Sequence, residues 1–491
     1  MQELTLNLSE RYKAKYLQIA GAIRKAIKHG QVSPAEALPS ARKLAEQLQT
    51  NRHTIMAAYA ELVAEGWVEA KQRSGYRVVS TLPVQSSKKI KHLTTDDHKR
   101  AQPAAFAWQF VRHGYNQNNK KASDYDYNFS GGQPDIALFP FSEFNRCFVK
   151  ANQCIKVELF SYGDSFGEPQ LIAQIGTYLR RVRAISDKQI LICNGSQEAL
   201  YIISQLLLQR GDFVAVEQLG YPPAWGAFKS AGAELLAIKQ DEKGIIPDHL
   251  ESVLKQGKVK LLYLTPLHQY PTTVTLSISR RMQIYQLAVK YNVAIVEDDY
   301  DHEFHYKCQP LAPMAADDPY GLVIYISTFS KLMFGAARIG YLVANKALIE
   351  QAAAFKTLIN HKSNIMLQQT VALWMKTGGF ERHLRKMTRL YQQRRDAMVE
   401  QLQSYQQQGV PISFNIPDGG MALWVKTEKR VNNLKTKLLD ENVYIQTEAE
   451  FNVLHNHNDE TPEYNIRLGF AGMNEEQSQH GLVRLIKHLL A

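Results

Sequence analysis

Two short apolar runs constrain this chain more than any other feature. The first, Val293 to Val296, opens onto Glu297, Asp298, Asp299 and Tyr300; the second, Val323 to Ile326, delivers Ser327, Thr328 and Ser330 to Lys331. Arg338 follows, and then a third apolar run from Ile339 to Ala344. Short apolar runs bounded by polar clusters read as buried strands. A lysine presented beyond a strand end, among hydroxyls and near an arginine, suits an aldehyde that also carries a phosphate. The amine condenses with the aldehyde to a Schiff base, while Thr328, Ser330, Arg338 and backbone N–H groups hold the phosphate. Such an aldehyde, pyridoxal phosphate, is an electron sink only while its ring nitrogen stays protonated, and Asp298 is the candidate to hold that proton. Tyr300, two residues on and on the same side of an extended chain, is placed to reach the ring hydroxyl. Taken singly, a lysine or an aspartate at a strand end is more often a solvated surface group. The succession of the two runs argues against that reading.

From Asp126 onward, apolar strands and amphipathic helices alternate, which predicts an α/β fold. The stretch I-L-I-C-N-G-S-Q-E-A-L, residues 190 to 200, reads as strand, glycine turn and helix. Gly195, Ser196 and Gln197 would then aim free N–H groups and a helix N-terminus at the phosphate. Tyr221 lies beyond another strand end, in F-V-A-V-E-Q-L-G-Y-P.

The first eighty residues follow a different plan. Ile19, Ile23 and Ile27 recur at helical spacing between about Tyr12 and His29, and Gly30 stops the helix. Ser40 stands at an N-cap position before a short helix with Leu44 and Leu48 inward. After the turn Q-T-N, a third helix carries Ile55, Ala58, Tyr59, Leu62 and Val63 as one apolar stripe, with Gly66 at its end. Its opposite face begins with Arg52, His53 and Met56. The alternating V-E-A-K-Q-R-S-G-Y-R-V-V predicts a hairpin with Lys71, Arg73 and Gly75 at the tip. Two helices joined by a tight turn, followed by a hairpin, are a winged helix-turn-helix.

These motifs resemble the MocR/GabR-type regulators, in which a GntR-like winged helix-turn-helix is joined to a fold-type I, aspartate aminotransferase-like domain. The resemblance rests on L-P-S-A-R-K-L-A and R-H-T-I in the head. In the large domain it rests on G-G-Q-P-D-I-A-L-F-P, T-P-L-H-Q-Y-P-T-T, the V-E-D-D-Y stretch and the Lys331 stretch. It implies bound pyridoxal 5'-phosphate, with Tyr221 stacked on the pyridine and His268 and Tyr270 nearby. It implies that Arg467, in Y-N-I-R-L-G-F, grips a ligand carboxylate; a structural salt bridge is the bland alternative. It also implies Ser40, Arg42, Arg52, Thr54 and Gly75 as DNA contacts, with His53 a lesser one, and a homodimer bearing two heads. Two departures stand out. Ala37 occupies a position before Leu-Pro where the family usually has glycine, and Thr273 replaces the glycine that closes the T-P-x-H-Q-x-P-T-G motif.

The domains expected are a head at 1–80, a basic flexible linker at 81–125, and an aminotransferase-like domain at 126–491. The last ends in a smaller C-terminal α+β subdomain from about 380. Charge supports the division: the net +11 is concentrated in the head and linker. Lys and Arg exceed Asp and Glu by 12 to 7 in residues 1–80 and by 8 to 3 in 81–125, against 38 to 37 in the rest. That asymmetry predicts a polyanion, an operator in double-stranded DNA, as the head's partner. No apolar run reaches the length of a membrane span, and no signal-peptide block opens the sequence. Cys147, Cys154, Cys193 and Cys308 form no C-x-x-C pair. A reducing cytoplasm is therefore expected, with no metal. The whole reads as a regulator of transcription sensing an amino compound, or pyridoxal phosphate itself. The alternative is an active aminotransferase with a DNA-binding appendage, because Lys331, Asp298 and Tyr300 serve both; whether substrate turns over is left open.

Overall fold

The computed structural model describes residues 14–71, 75–82, 121–153, 157–161, 163–306, 311–431, 433–455 and 462–490. The chain falls into two compact units, divided between Gly114 and Tyr115, inside the segment expected as a linker. Most of that segment, the wing-tip Arg73 and the first helix's expected start at Tyr12 lie outside the described residues.

The head has helices Lys15–Lys28, Ala41–Gln47 and Arg52–Ala64, then strands Val68–Lys71 and Gly75–Val78 paired antiparallel with Lys71 opposite Gly75. The second and third helices start at side-chain caps. Ser40 Oγ accepts from the Lys43 N–H at 3.2 Å, and Asn51 Oδ1 accepts from the His53 N–H at 2.9 Å. Ile19, Ile23, Ile27, Leu44, Ile55, Tyr59 and Leu62 close a common core, and the Tyr59 hydroxyl donates to the Pro39 carbonyl at 2.7 Å. One expectation fails here: Val63 is exposed. The buried set Ile55, Ala58, Tyr59 and Leu62 follows helical spacing, and one further residue turns Val63 about 100° away from it. Ala37 fits without a glycine's freedom, because it bridges to Arg77 while Ala35 takes the left-handed φ of 63°.

The second unit is built on a seven-stranded sheet. Its order is Gln189–Cys193, Gly340–Ala344, Val323–Thr328, Ala294–Asp298, Val259–Leu264, Phe213–Glu217 and Glu234–Ile238. Only Gly340–Ala344 runs antiparallel to its neighbours. Helices cover both faces, so the strands are buried on both sides and read as nearly continuous apolar runs. The carboxyl ends of four central strands therefore meet at one edge, carrying Glu217, Leu264, Asp298 and Thr328. That edge is where open α/β sheets bind ligands. A long helix, Gly379–Gln407, leads to a second layer of Ile412–Phe414, Ala422–Thr427, Asn465–Gly469 and Gln446–Thr447. Tyr127–Asn128 pairs in parallel with Val443–Tyr444, so the unit's opening residues join its C-terminal layer.

Side-chain alternation sorts the three acids that end the central strand. Glu297 turns to one face and accepts the N–H groups of Met314 and Ala315, both at 2.9 Å. Asp299, on the same face, accepts from Arg183 Nη2 at 2.6 Å and from the Tyr325 hydroxyl at 2.7 Å. Arg183 also donates to the Leu311 carbonyl at 3.0 Å, and it holds the Asp299 carboxyl below its ordinary value despite burial. Removing one partner of such a pair strands the other charge in the interior. Arg183→Ala is expected to cost roughly 3–5 kcal/mol in urea unfolding of the full chain; a loss below about 1 kcal/mol would refute this anchoring role.

Candidate functional site

At the strand ends the second unit encloses a cavity of about 230 Å³. Asp298, Tyr300, Thr328, Ser330, Lys331, Arg338, Tyr221, Ser196 and Gln197 all line it, so the residues singled out from separate stretches are brought together. The strand Val323–Thr328 stops because the Thr328 Oγ1 accepts from the Ser330 N–H at 3.2 Å, capping a single tight turn, Phe329–Lys331. That turn brings the Lys331 Nζ to the Gly132 carbonyl, to which it donates at 2.9 Å. Burial lowers the amine's pKa, helped by the charge of Arg467 and opposed by Asp301 and Asp298. A lysine so placed is more readily neutral, which is the form that attacks a carbonyl.

One end of the cavity is made for an anion. Gly195, with φ +86°, turns the chain from the strand Gln189–Cys193 into the helix Ser196–Leu207. It does not line the cavity itself; it lets Arg338 lie close, since a Cβ there would stand 2.9 Å from the Arg338 Nη2. Arg338, itself left-handed at φ 49°, donates to the Asn194 carbonyl at 2.5 Å. The helix N-terminus at Ser196 and Gln197, the hydroxyls of Thr328 and Ser330, and the Arg338 guanidinium thus surround one end of the space.

The lining also includes a buried acid. Asp298 is buried, and its Oδ2 accepts from the Tyr263 hydroxyl at 2.9 Å. Its Oδ1 has no hydrogen-bond partner among the described residues. Burial pushes this carboxyl up to about 7, with Asp299 adding to the rise and the Tyr263 hydrogen bond and Lys331 opposing it. A buried carboxylate oxygen left without a donor is costly, and a protonated ring nitrogen would satisfy it. The residues present therefore fit a pyridoxal phosphate: an anion cradle, a lysine and an unpartnered acid facing one cavity.

Aromatic rings form the remaining wall. Tyr270 meets Tyr221 and Tyr300 edge-on, with ring centroids 5.2 and 5.9 Å apart. The Tyr300 hydroxyl donates to the His268 carbonyl at 3.2 Å. Arg467, in the strand Asn465–Gly469, is buried behind this wall with its guanidinium carbon 4.5 Å from the Tyr270 ring centre. Its Nε and Nη1 are without partners among the described residues, and no ion pair ties it into the fold. Gly131, on the cavity wall, lets the Arg467 guanidinium lie against the backbone, since a Cβ would lie 1.7 Å from the Arg467 Nη1 and the side chain would have to move. His268 stands apart: its Nδ1 meets the Asp301 Oδ1 at 2.7 Å beneath Gly419 and Gly420. Thr273 takes the left-handed φ of 63° while the turn closes through its N–H to the Gln269 carbonyl at 2.6 Å. A threonine here bears a strain that a glycine would not.

Sequence reasoning passed over Tyr263, Thr265, Gly132 and Gly335, which also line the cavity. Lateral register brings Tyr263 there: it stands opposite Val296, so alternation puts it on the Asp298 face of the neighbouring strand. In the head, Arg52 and His53 are exposed at the first turn of the third helix, and Thr54 is half-buried beside them. Arg42 is exposed with Glu46 at 3.4 Å, Ser40 is occupied as a cap, and Gly75 has φ +80° opposite Lys71.

Residues 141–485 match the model of the aminotransferase class I and II family, and residues 15–78 match that of bacterial regulatory proteins of the gntR family. The chain is 29% identical over 483 residues to a probable rhizopine catabolism regulatory protein, MocR, of Rhizobium meliloti, covering 96% of this chain and 93% of that one. The fold of the second unit is similar to the multiple substrate aminotransferase of Thermococcus profundus. The TM-score is 0.68 at 31% identity, covering 75% of this chain and 92% of that one. It is likewise similar to the kynurenine aminotransferase of Pyrococcus horikoshii, solved in complex with PMP. There the TM-score is 0.69 at 29% identity, with 75% and 93% covered.

A buried carboxyl raised to about 7 favours folding while protonated, and that contribution is lost as pH rises through its folded value. Without cofactor, Asp298→Asn should therefore melt higher than the wild type above about pH 7. The gain should shrink toward zero below about pH 4. Thermal melts of the two cofactor-free chains across that range check the sign; a gain that grows toward acid would contradict it.

Proposed function

Because the chain belongs to the class I and II aminotransferase family, as a MocR-type regulator with a gntR-family head, we propose that it regulates transcription through pyridoxal phosphate held beside Lys331. The single observation that supports this most is the shared cavity: Lys331, Asp298, whose Oδ1 has no partner among the described residues, and the cradle at Ser196, Thr328, Ser330 and Arg338 all line it. When bound, pyridoxal phosphate supplies an electrophilic carbonyl and a pyridinium ring able to stabilise negative charge. Lys331 is the nucleophile. Asp298 would accept a hydrogen bond from the protonated ring nitrogen, Tyr300 would reach the ring hydroxyl, and Tyr221 would pack on the ring face. Gly195 lets Arg338 and the helix N-terminus close on the phosphate.

The effector is an amino compound able to compete with Lys331. Arg467, buried and without an ion-pair partner among the described residues, favours one that also carries a carboxylate, which makes an amino acid in the broad sense the preferred class. DNA binding belongs to the head, through Arg42, Arg52, His53, Thr54 and the Gly75 hairpin, with Ser40 shaping the turn. A cytoplasmic homodimer would carry two heads and read two half-sites. Steady transamination is the competing use of the same pocket, and product analysis with amino acids separates the two.

Two variants with two readouts test the assignment. The full chain with pyridoxal phosphate should show visible absorbance, and Lys331→Ala should lose it while keeping its far-UV circular dichroism. Arg52→Ala should keep the absorbance and bind operator at least tenfold more weakly. Wild-type operator affinity should fall steeply with salt, each neutralised phosphate adding about −0.9 to the log–log slope. An unchanged spectrum in Lys331→Ala refutes the cofactor site; a flat salt response refutes the role of the head.

A further inference from the structure

Tyr263 has no part in the assignment above, yet no other described side chain hydrogen-bonds Asp298. It lies in the strand Val259–Leu264, which runs parallel to Ala294–Asp298 with Tyr263 opposite Val296. Asp298 is two residues beyond Val296, so both side chains project to the same face, one diagonal step apart. That separation is within reach of a tyrosine hydroxyl. The ring is fixed edge-on by Phe228, with centroids 5.6 Å apart, and both Tyr263 and Asp298 are nearly fully buried. The hydroxyl donates to Oδ2 at 2.9 Å.

Resting on the cofactor reading given above, we infer that Tyr263 is a positioning residue that binds Oδ2 of Asp298 and so leaves Oδ1 as the oxygen presented to the pyridine nitrogen. A carboxylate can rotate about its terminal bond, and a lone buried one would be free to present either oxygen at varying angles. The Tyr263 bond removes that freedom before the ring arrives. It also donates to the charged form of a carboxyl that burial would otherwise neutralise, and a neutral acid would not hold a protonated ring. No bond is made or broken by Tyr263; it acts wholly through Asp298.

The test uses the full-length chain and its Tyr263→Phe, Asp298→Ala and double variants, each titrated with pyridoxal phosphate by absorbance and by quenching of protein fluorescence. Phenylalanine keeps the ring and its contact with Phe228, so the change removes one hydroxyl. Tyr263→Phe is expected to weaken cofactor binding about tenfold or more, the worth of a hydrogen bond to a charged group. It should also move the pH dependence of the bound cofactor's absorbance. In the Asp298→Ala background the same change is expected to alter binding less than about twofold, because its only target is gone. Equal losses in both backgrounds would show that Tyr263 acts by packing and would overturn the inference. So would wild-type affinity and an unmoved pH profile in Tyr263→Phe. A wild-type chain that takes up no pyridoxal phosphate would overturn both this inference and the reading on which it rests.

Discussion

The site depends on one constraint: successive residues of a strand point to opposite faces. Glu297 and Asp299 face one way and are consumed by the fold, the first by two backbone N–H groups and the second by Arg183 and Tyr325. Asp298 faces the other way, into the cavity, with one oxygen unpartnered. Three acids in a row would repel one another if left together in a buried place. Here the fold satisfies two of them, and the third keeps one oxygen without a partner among the described residues. A register slip of one residue would exchange their roles, putting two acids in the cavity and one in the core.

The same economy operates at the anion end. Arg338 approaches Asn194 and Gly195 only because neither Gly195 nor Gly340 has a Cβ; one at Gly340 would stand 2.6 Å from the Gly195 carbonyl carbon. The cradle thus joins three distant parts of the chain through the one antiparallel strand, Gly340–Ala344, that fits between Gln189–Cys193 and Val323–Thr328. At Thr273 a left-handed turn is held by a residue with a Cβ, where glycine would hold it without strain.

Most of the site was legible because its residues end apolar runs, where strand periodicity hands over to loop. Asp298, Lys331, Thr328 and Ser330 are of this kind, and the Gly195 turn announces itself by a strand, a glycine and a helix. Tyr263 was not legible in that way. Its role comes from lateral register between two parallel strands, which pattern along one strand does not report. Arg467 shows a second limit. Its β-like context correctly placed it facing inward, but only the packing reveals Tyr270 and Gly131 between it and the cavity. Val63 shows the third, since an apolar residue next to a buried stripe is easily counted into it.

The central claim is that chemistry at Lys331 biases DNA binding by the head. A ligand can shift such an equilibrium only through unequal affinity for the two states, and competition for the lysine would supply that inequality. The most direct measurement is the operator affinity of the full chain loaded with pyridoxal phosphate, before and after a panel of amino acids, in the wild type and in Lys331→Ala. The account predicts that at least one amino acid changes wild-type affinity by about 5- to 150-fold and leaves Lys331→Ala unmoved. Wild-type affinity indifferent to every amino acid and to the cofactor itself would contradict it.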